Sequence, residues 1–281
     1  MIAAAALCAW GTLCLLFWQG SWQLLYHPTA AVTRTPASVG LHYDSVDFAA
    51  TPSGATLLHG WWVPGNPGSR FTAIYLHGAS GNLGDSVDAL IPLHSVGLNI
   101  FDFDYRGYGQ SRFEHPSEAR WHEDADSAIG YLVNTRHIPP DSIVLVGEGL
   151  GANLALEVAA AHPELAGLVV DEPLQAPVDA IFNDSRAKLV PARLLVRDRW
   201  DSKLAATTLR ISSLWFCRTS PPGQLGVPEN PAAFDNVTAP KMLVWLTDTT
   251  HTERDIEESL KRWLDDLPRE RQVGPGQVIL K

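Results

Sequence analysis

Charge is scarce in this chain of 281 residues, at 19% of positions, and positive charge is the scarcer kind. Against 31 Asp and Glu there are 21 Lys and Arg, a net −10. A chain so short of basic residues is not expected to bind nucleic acid, which calls for clustered positive charge. Nor does it offer an obvious polybasic patch for anionic lipid heads. Cysteine is rarer still. Of three in all, Cys8 and Cys14 sit in an apolar N-terminal run and Cys217 stands alone, which excludes a disulfide scaffold. Hydrophobic residues, by contrast, make up 46%, enough for a sizeable core, so global disorder is excluded. The mass of 30.7 kDa suits one larger α/β domain or at most two small ones.

The most local absence is at the N-terminus. From Met1 to Thr33 there is no Asp, Glu, Lys or Arg, and Ile2 to Trp18 is almost wholly apolar. At about 1.5 Å per residue that run reaches roughly 26 Å, close to the thickness of a bilayer's hydrocarbon core. Trp18, Trp22 and Tyr26 come next, where an interfacial aromatic belt belongs. Residues 1–26 therefore read as a single membrane anchor. The competing reading is a cleaved signal peptide, but the run has neither a basic n-region nor a clear A-x-A site. Without a basic loop behind the anchor, the globular part is expected on the outer side of the membrane.

Beyond Thr33, β-rich runs alternate with helical periods. Leu41–Ala49 and Ala55–Val63, separated by Thr51-Pro52-Ser53-Gly54, read as an antiparallel hairpin. Buried-strand candidates lie at Phe71–His77, Leu98–Phe103, Ser142–Gly147, Ala166–Asp171, Ile211–Cys217 and Lys241–Thr247. Helical spacing of apolar residues marks Ser117–Thr135 and Thr252–Leu267. Continuous apolar strands alternating with amphipathic helices predict an α/β fold with a mainly parallel sheet of eight strands and helices on both faces. The body is expected to span 27–267. Residues 175–209 break the rhythm as a helical insertion that roofs a pocket, and 268–281 read as a loose tail.

Three segments carry chemistry. In His77-Gly78-Ala79-Ser80-Gly81-Asn82, a strand ends in a Gly-containing turn, whose backbone N–H groups suit a developing oxyanion. In Asp104-Tyr105-Arg106-Gly107-Tyr108-Gly109-Gln110-Ser111, two glycines among aromatics imply a tight packed turn, with Arg106 pairing Asp104 or Asp124. In Gly147-Glu148-Gly149-Leu150-Gly151, tiny residues stand two before and two after a central position, between a strand and a small-residue helix. That is the pattern of a nucleophile elbow, where strand and helix backbones nearly touch.

These motifs, with Pro116–Ala119 and Asp124 in the same order and spacing, resemble the α/β-hydrolase superfamily, most of all its membrane-anchored serine hydrolases carrying HGN, DYRGYG and G-x-S-x-G. The likeness covers about Tyr26 to Leu267. It implies a nucleophile at Gly149, an acid after the seventh strand and a base after the eighth. It places the base at His251 and oxyanion N–H groups at Ala79 and Leu150. The elbow centre is glycine, and no carboxylate stands in Arg218–Gly223, the first downstream being Glu229. Covalent acyl transfer needs a side-chain nucleophile held against a base, so the resemblance points to a degenerate serine hydrolase whose pocket survives for a small acyl or lipid-like ligand. Asp171, ending the sixth strand, is a possible substitute acid, with strand-end pairing as its ordinary role. Glu148 is expected to point away from the pocket, and Ser80 to be a turn residue. The competing expectation is an active hydrolase of carboxylic esters or thioesters, with a water activated by His251 beside Gly149. Asp248 and His251 supply too few ligands for a metal, and neither metal nor cofactor is expected.

Overall fold

The computed structural model describes residues 1–50, 54, 57–218, 231–246 and 252–267, together with the backbone of 268–270. Eight strands make the main sheet: β1 (Asp44–Ala49), β2 (Leu57–Val63), β3 (Thr72–Leu76), β4 (Asn99–Phe103), β5 (Ile143–Glu148), β6 (Gly167–Asp171), β7 (Ser213–Arg218) and β8 (Lys241–Leu246). Their spatial order is β8-β7-β6-β5-β3-β4-β2-β1. The first two strands pair antiparallel, β2 pairs antiparallel with β4, and the other neighbours are parallel. The expected hairpin is therefore present, with Val46 opposite Gly60. Crossover connections between parallel strands put helices on both faces, which is why β3, β5 and β6 are apolar almost throughout.

The helices are α1 (Ile2–Gly20), α2 (Leu90–Ser95), α3 (Glu118–Asn134), α4 (Leu150–Ala161), α5 (Asp179–Phe182), α6 (Ala192–Leu195), α7 (Ser202–Thr208) and α8 (Thr252–Glu270). Ser117 caps α3 by accepting from the Arg120 N–H at 3.4 Å. Trp121, Ala125, Ala128, Ile129 and Leu132, repeating at helical spacing, are buried in the larger core together with the α4 residues Leu154, Ala155 and Val158. Across the sheet, Leu260, Trp263, Leu264 and Leu267 of α8 pack on Val144, Val146 and Val169. The helix does not stop at Leu267: its backbone runs through Pro268 to Glu270, so the expected tail begins later than 268, and 271–281 lie outside the described residues. The insertion at 175–209 is helical, as three short helices α5 to α7, and packs as a cap against α4 through α7.

After α1 the chain takes one short 3-10 turn (Ser21–Leu24) and is then bound to the body. Residues His27–Pro28 form a two-residue parallel ladder with Ser80–Gly81. Tyr26 is buried and donates its hydroxyl to Asp198 at 2.6 Å, while Trp200 Nε1 donates to the Tyr26 oxygen at 3.3 Å.

Candidate functional site

The elbow is built by three glycines with three different duties. A Cβ on Gly147 would overlap the backbone of Gly151, and one on Gly151 would overlap the carbonyl oxygens of Leu76 and His77. Strand β5, helix α4 and the end of β3 thus touch through bare backbone. Gly149 lies between them at φ 56° and ψ −120°, a region that residues with a Cβ enter only under strain. Its N–H donates to the Asp171 carbonyl at 2.9 Å and its carbonyl accepts from Ala152 at 3.1 Å. A Cβ on Gly149 would meet nothing within 4 Å. The tight bend between β5 and α4 thus leaves open space at Gly149.

The turn after β3 lies beside it: a Cβ on Gly78 would be 3.6 Å from the Glu148 carbonyl. Tyrosines hold this turn. The Tyr105 hydroxyl donates to the His77 carbonyl at 3.2 Å and that of Tyr108 to the Ala79 carbonyl at 2.8 Å, which also accepts from the His27 N–H at 2.8 Å. Asn82 extends the brace, donating to Thr29 Oγ1 at 2.7 Å and to the Ala31 carbonyl at 2.9 Å. Ala79 and Leu150, the expected oxyanion residues, are thereby set on the turn and on the first residue of α4. Within a segment whose sequence implies a packed turn, these tyrosines are supports of the neighbouring turn, and Asn82 braces the turn to which it belongs. The single available signal was two tyrosines three residues apart after a strand.

Arg106 chooses between its two expected partners. Its Nε donates to Asp124 at 2.6 Å and its backbone N–H to the same carboxylate at 2.8 Å, with Glu123 taking Nη2 at 2.6 Å. Asp104 instead accepts from the Leu83 N–H at 2.8 Å and lies 3.6 Å from His77 Nε2. Burial alone drives His77 down to about 4, and burial lifts Asp104 to about 7 against the pull of its backbone donors.

This pair has opposing effects on stability. The depressed His77 contributes stability in full above the unfolded value of 6.5, lost as pH falls toward 4. The raised Asp104 contributes stability in full below 3.8, lost as pH rises through 7. Between about 4 and 6.5 native and unfolded chains bind one proton each, and the two slopes cancel. His77→Phe keeps a ring against Tyr105 and Tyr108 but removes one slope. The variant is expected to lose up to about 1.4 kcal/mol of stability per pH unit from pH 4.5 to 6.5, relative to the parent, in urea titrations. Parallel curves would refute this.

Asp171 is tied at the end of β6. Arg218, ending β7, donates to both its oxygens at 3.2 and 3.4 Å and pairs with Glu172 at 2.8 Å. Burial raises Asp171 to about 6, which Arg218 opposes and Glu148 assists. Glu148 accepts from Tyr75 at 2.7 Å and lines, with Asp171, Arg218, Phe216 and Leu260, a cavity of about 220 Å³ between the sheet and α8. The Asp171 carboxylate thus takes part in strand-end pairing, as expected. Ser80 is exposed, within the ladder to His27. His251, Asp248, the turn after Arg218 and Glu229 lie outside the described residues.

Under the cap is a larger cavity of about 310 Å³, lined by Asn153, Leu174, Val178, Trp200, Ser202 and Ala233 among others. Buried Asn153 secures its floor, donating to the Leu174 carbonyl at 2.9 Å and to Ser202 at 2.8 Å. At the cap's base the Arg199 N–H donates to Glu118, as does that of Trp200 at 3.1 Å. Glu118, His122 and Glu157 offer ligand atoms within 4.8 Å of one another, the one group among the described residues able to hold a metal. There His122 already pairs with Glu157 at 2.8 Å.

A parallel sheet whose fifth strand bends through a glycine-bracketed elbow, against an HG turn and beneath a helical cap, defines the architecture of a hydrolase. The chain belongs to the alpha/beta hydrolase family, whose sequence model matches residues 57–278. It is 34% identical over 165 residues to the uncharacterized protein YfhR of Salmonella typhimurium, covering 57% of this chain and 53% of that protein. Against the uncharacterized protein Rv2307c of Mycobacterium tuberculosis it is 30% identical over 207 residues, covering 72% and 70%. Alpha/beta hydrolase domain-containing protein 17C of Mus musculus is 33% identical over 121 residues, covering 43% and 37%. The chain thus spans about half of YfhR and little over a third of the mouse protein. Among solved structures, the esterase Pf2001 of Pyrococcus furiosus superposes with a TM-score of 0.62 over 86% of this chain and 98% of that one, at 21% identity. That likeness shows the fold.

The helix α1 with its 3-10 extension, Ile2–Leu24, is long and apolar enough to cross a membrane by length and composition, as an anchor or a signal sequence would be.

Proposed function

We propose that this chain is a membrane-anchored member of the family that has lost its serine-hydrolase chemistry and keeps its cleft as a site for a small acyl or lipid-like ligand. The observation that carries this reading is Gly149, which holds the elbow backbone and has no side-chain atom to attack a carbonyl. Where measured elsewhere, loss of the serine costs about 10⁶ in turnover, leaving roughly 10³–10⁴ over water from oxyanion stabilisation and binding. The anchor places the body beside a bilayer, on its outer side given the lack of a basic flank. The esterase name of a structural neighbour and the hydrolase name of a curated relative support acyl chemistry as the ancestral use of the cleft.

A second reading is favoured by the open space above Gly149. A water seated there and activated by His251 would hydrolyse a carboxylic ester or thioester. The full chain in detergent, given p-nitrophenyl esters and an acyl thioester, is expected to match a His251→Ala variant in rate. Turnover above that control overturns the first reading and establishes the second.

A further inference from the structure

Helix α1 does not stand clear of the body. It packs along Ser185–Leu189 and α6 of the cap, and Trp10 Nε1 donates to the Leu189 carbonyl at 3.1 Å. Farther along, Phe17 is buried against the core. Most of the remaining apolar side chains of α1 are exposed, Leu7, Leu13, Leu15 and Leu16 among them. The cap segments that touch it carry exposed leucines of their own, Leu189 at 62% and Leu194 at 84%. Single exposed leucines are ordinary on a protein surface. These two sit on the segments that line the most apolar helix of the chain, so helix and cap edge form one apolar face.

Charge on the cap runs against the rest of the molecule. From Asp184 to Arg199 five basic side chains (Arg186, Lys188, Arg193, Arg197, Arg199) stand against Asp184 and Asp198, a local +3 in a chain of net −10. Arg186 is paired with Asp184 at 2.8 Å, and Arg193 lies over the Phe182 ring at 4.9 Å. A stretch of net positive charge thus runs through the segments that carry the exposed leucines.

Depth is set by the helix rise. At 1.5 Å per residue Trp10 lies about 12 Å along α1 from Trp18, the level of the aromatic belt. Leu189, bonded to Trp10, is carried below that level, by less as the helix tilts. Long basic side chains flanking such an edge keep their stems in apolar surroundings and their heads at the phosphates.

We propose that the cap edge at Leu189 and Leu194 is a second membrane contact, its leucines passing below the headgroups of the bilayer that holds α1 while Arg186, Lys188 and Arg193 reach back to anionic phosphates. The inference rests on the anchor reading of α1 and adds to it that the cap over the cleft lies in the lipid surface.

The test uses the full chain in vesicles of phosphatidylcholine with and without 30% phosphatidylglycerol. Leu194→Cys and Glu258→Cys, each with Cys8, Cys14 and Cys217 replaced by serine, are spin-labelled and their oxygen and nickel-chelate accessibilities compared. Both sites are exposed, so the labels disturb no packing. At position 194 the ratio of oxygen to nickel accessibility is expected to be several-fold higher than at 258, on helix α8. The excess is expected to grow with phosphatidylglycerol. It is expected to lose that growth in the variant combining Arg186→Glu, Lys188→Glu and Arg193→Glu. If the protein floats with the vesicles but 194 is as nickel-accessible as 258, the cap contact is overturned while the anchor stands. If the protein does not float, the anchor reading itself falls. An excess that ignores lipid charge overturns the role of the basic residues.

Discussion

Gly149→Ser is expected to become labelled by a fluorophosphonate probe that leaves the parent protein blank. The probe needs a hydroxyl at an elbow, a base, and N–H donors for the phosphoryl oxygen. At this position the parent has no hydroxyl to offer. Its elbow holds φ 56° and ψ −120°, and a Cβ there meets nothing within 4 Å, so a serine enters without collision. What it meets is backbone strain, of order 1–3 kcal/mol, so the variant is expected to melt lower than the parent yet fold. Because Asp171 is held by Arg218, its help in orienting a base is limited, and labelling is expected to be slow. Adding His251→Ala is expected to abolish it. A folded Gly149→Ser variant that stays blank would mean that the base is no longer aimed at the elbow. Labelling of the parent on any cleft side chain would overturn the proposed loss of chemistry.

Gly151→Ala, one methyl added two residues later, is expected to be far more damaging to the fold. The new Cβ would fall on the carbonyl oxygens of Leu76 and His77, and backbone atoms at the end of a central strand have nowhere to go. Overpacking against side chains costs typically 1–3 kcal/mol. Here nothing flexible lies in the way, and the loss is expected to exceed about 4 kcal/mol, among the larger effects a point substitution produces. Little soluble protein, or a urea midpoint displaced well below that of Gly149→Ala, is the expected outcome. Equal midpoints for Gly149→Ala and Gly151→Ala would show that β3 and α4 are not in backbone contact.

The elbow was legible in the sequence because its requirement is local. Gly147 and Gly151 stand at fixed distances from one bend, and the strand before and helix after declare themselves by composition. Strands β3 to β8 were legible for a similar reason, each a short, mostly apolar run, and the hairpin of β1 and β2 by its turn residues. The pairing of Asp171 with Arg218 was not, since the two residues end adjacent strands 47 positions apart and nothing in either neighbourhood announces the other. The same holds for Tyr105 and Tyr108, whose carbonyl partners lie 28 and 29 residues back. Arg106 illustrates a case half decided. Composition offered Asp104 and Asp124 as partners, and only the fold gave the fork to Asp124 and left Asp104 beside a buried imidazole. Pro268 misled in the other direction. The expected boundary at 268 falls on it, yet one missing N–H in the last turn does not prevent the backbone of α8 from continuing two residues farther.

The short ladder between His27–Pro28 and Ser80–Gly81 has a mechanical meaning. Few residues separate the end of α1 from that clamp, and Asn82 grips Thr29 just beyond it, so the body is joined to that helix by a stiff bracket instead of a leash. A bracket fixes attitude as well as address. With α1 in a bilayer, as proposed, the mouth of the cleft would keep one compass bearing relative to the bilayer normal, and a ligand would have to approach from that quarter.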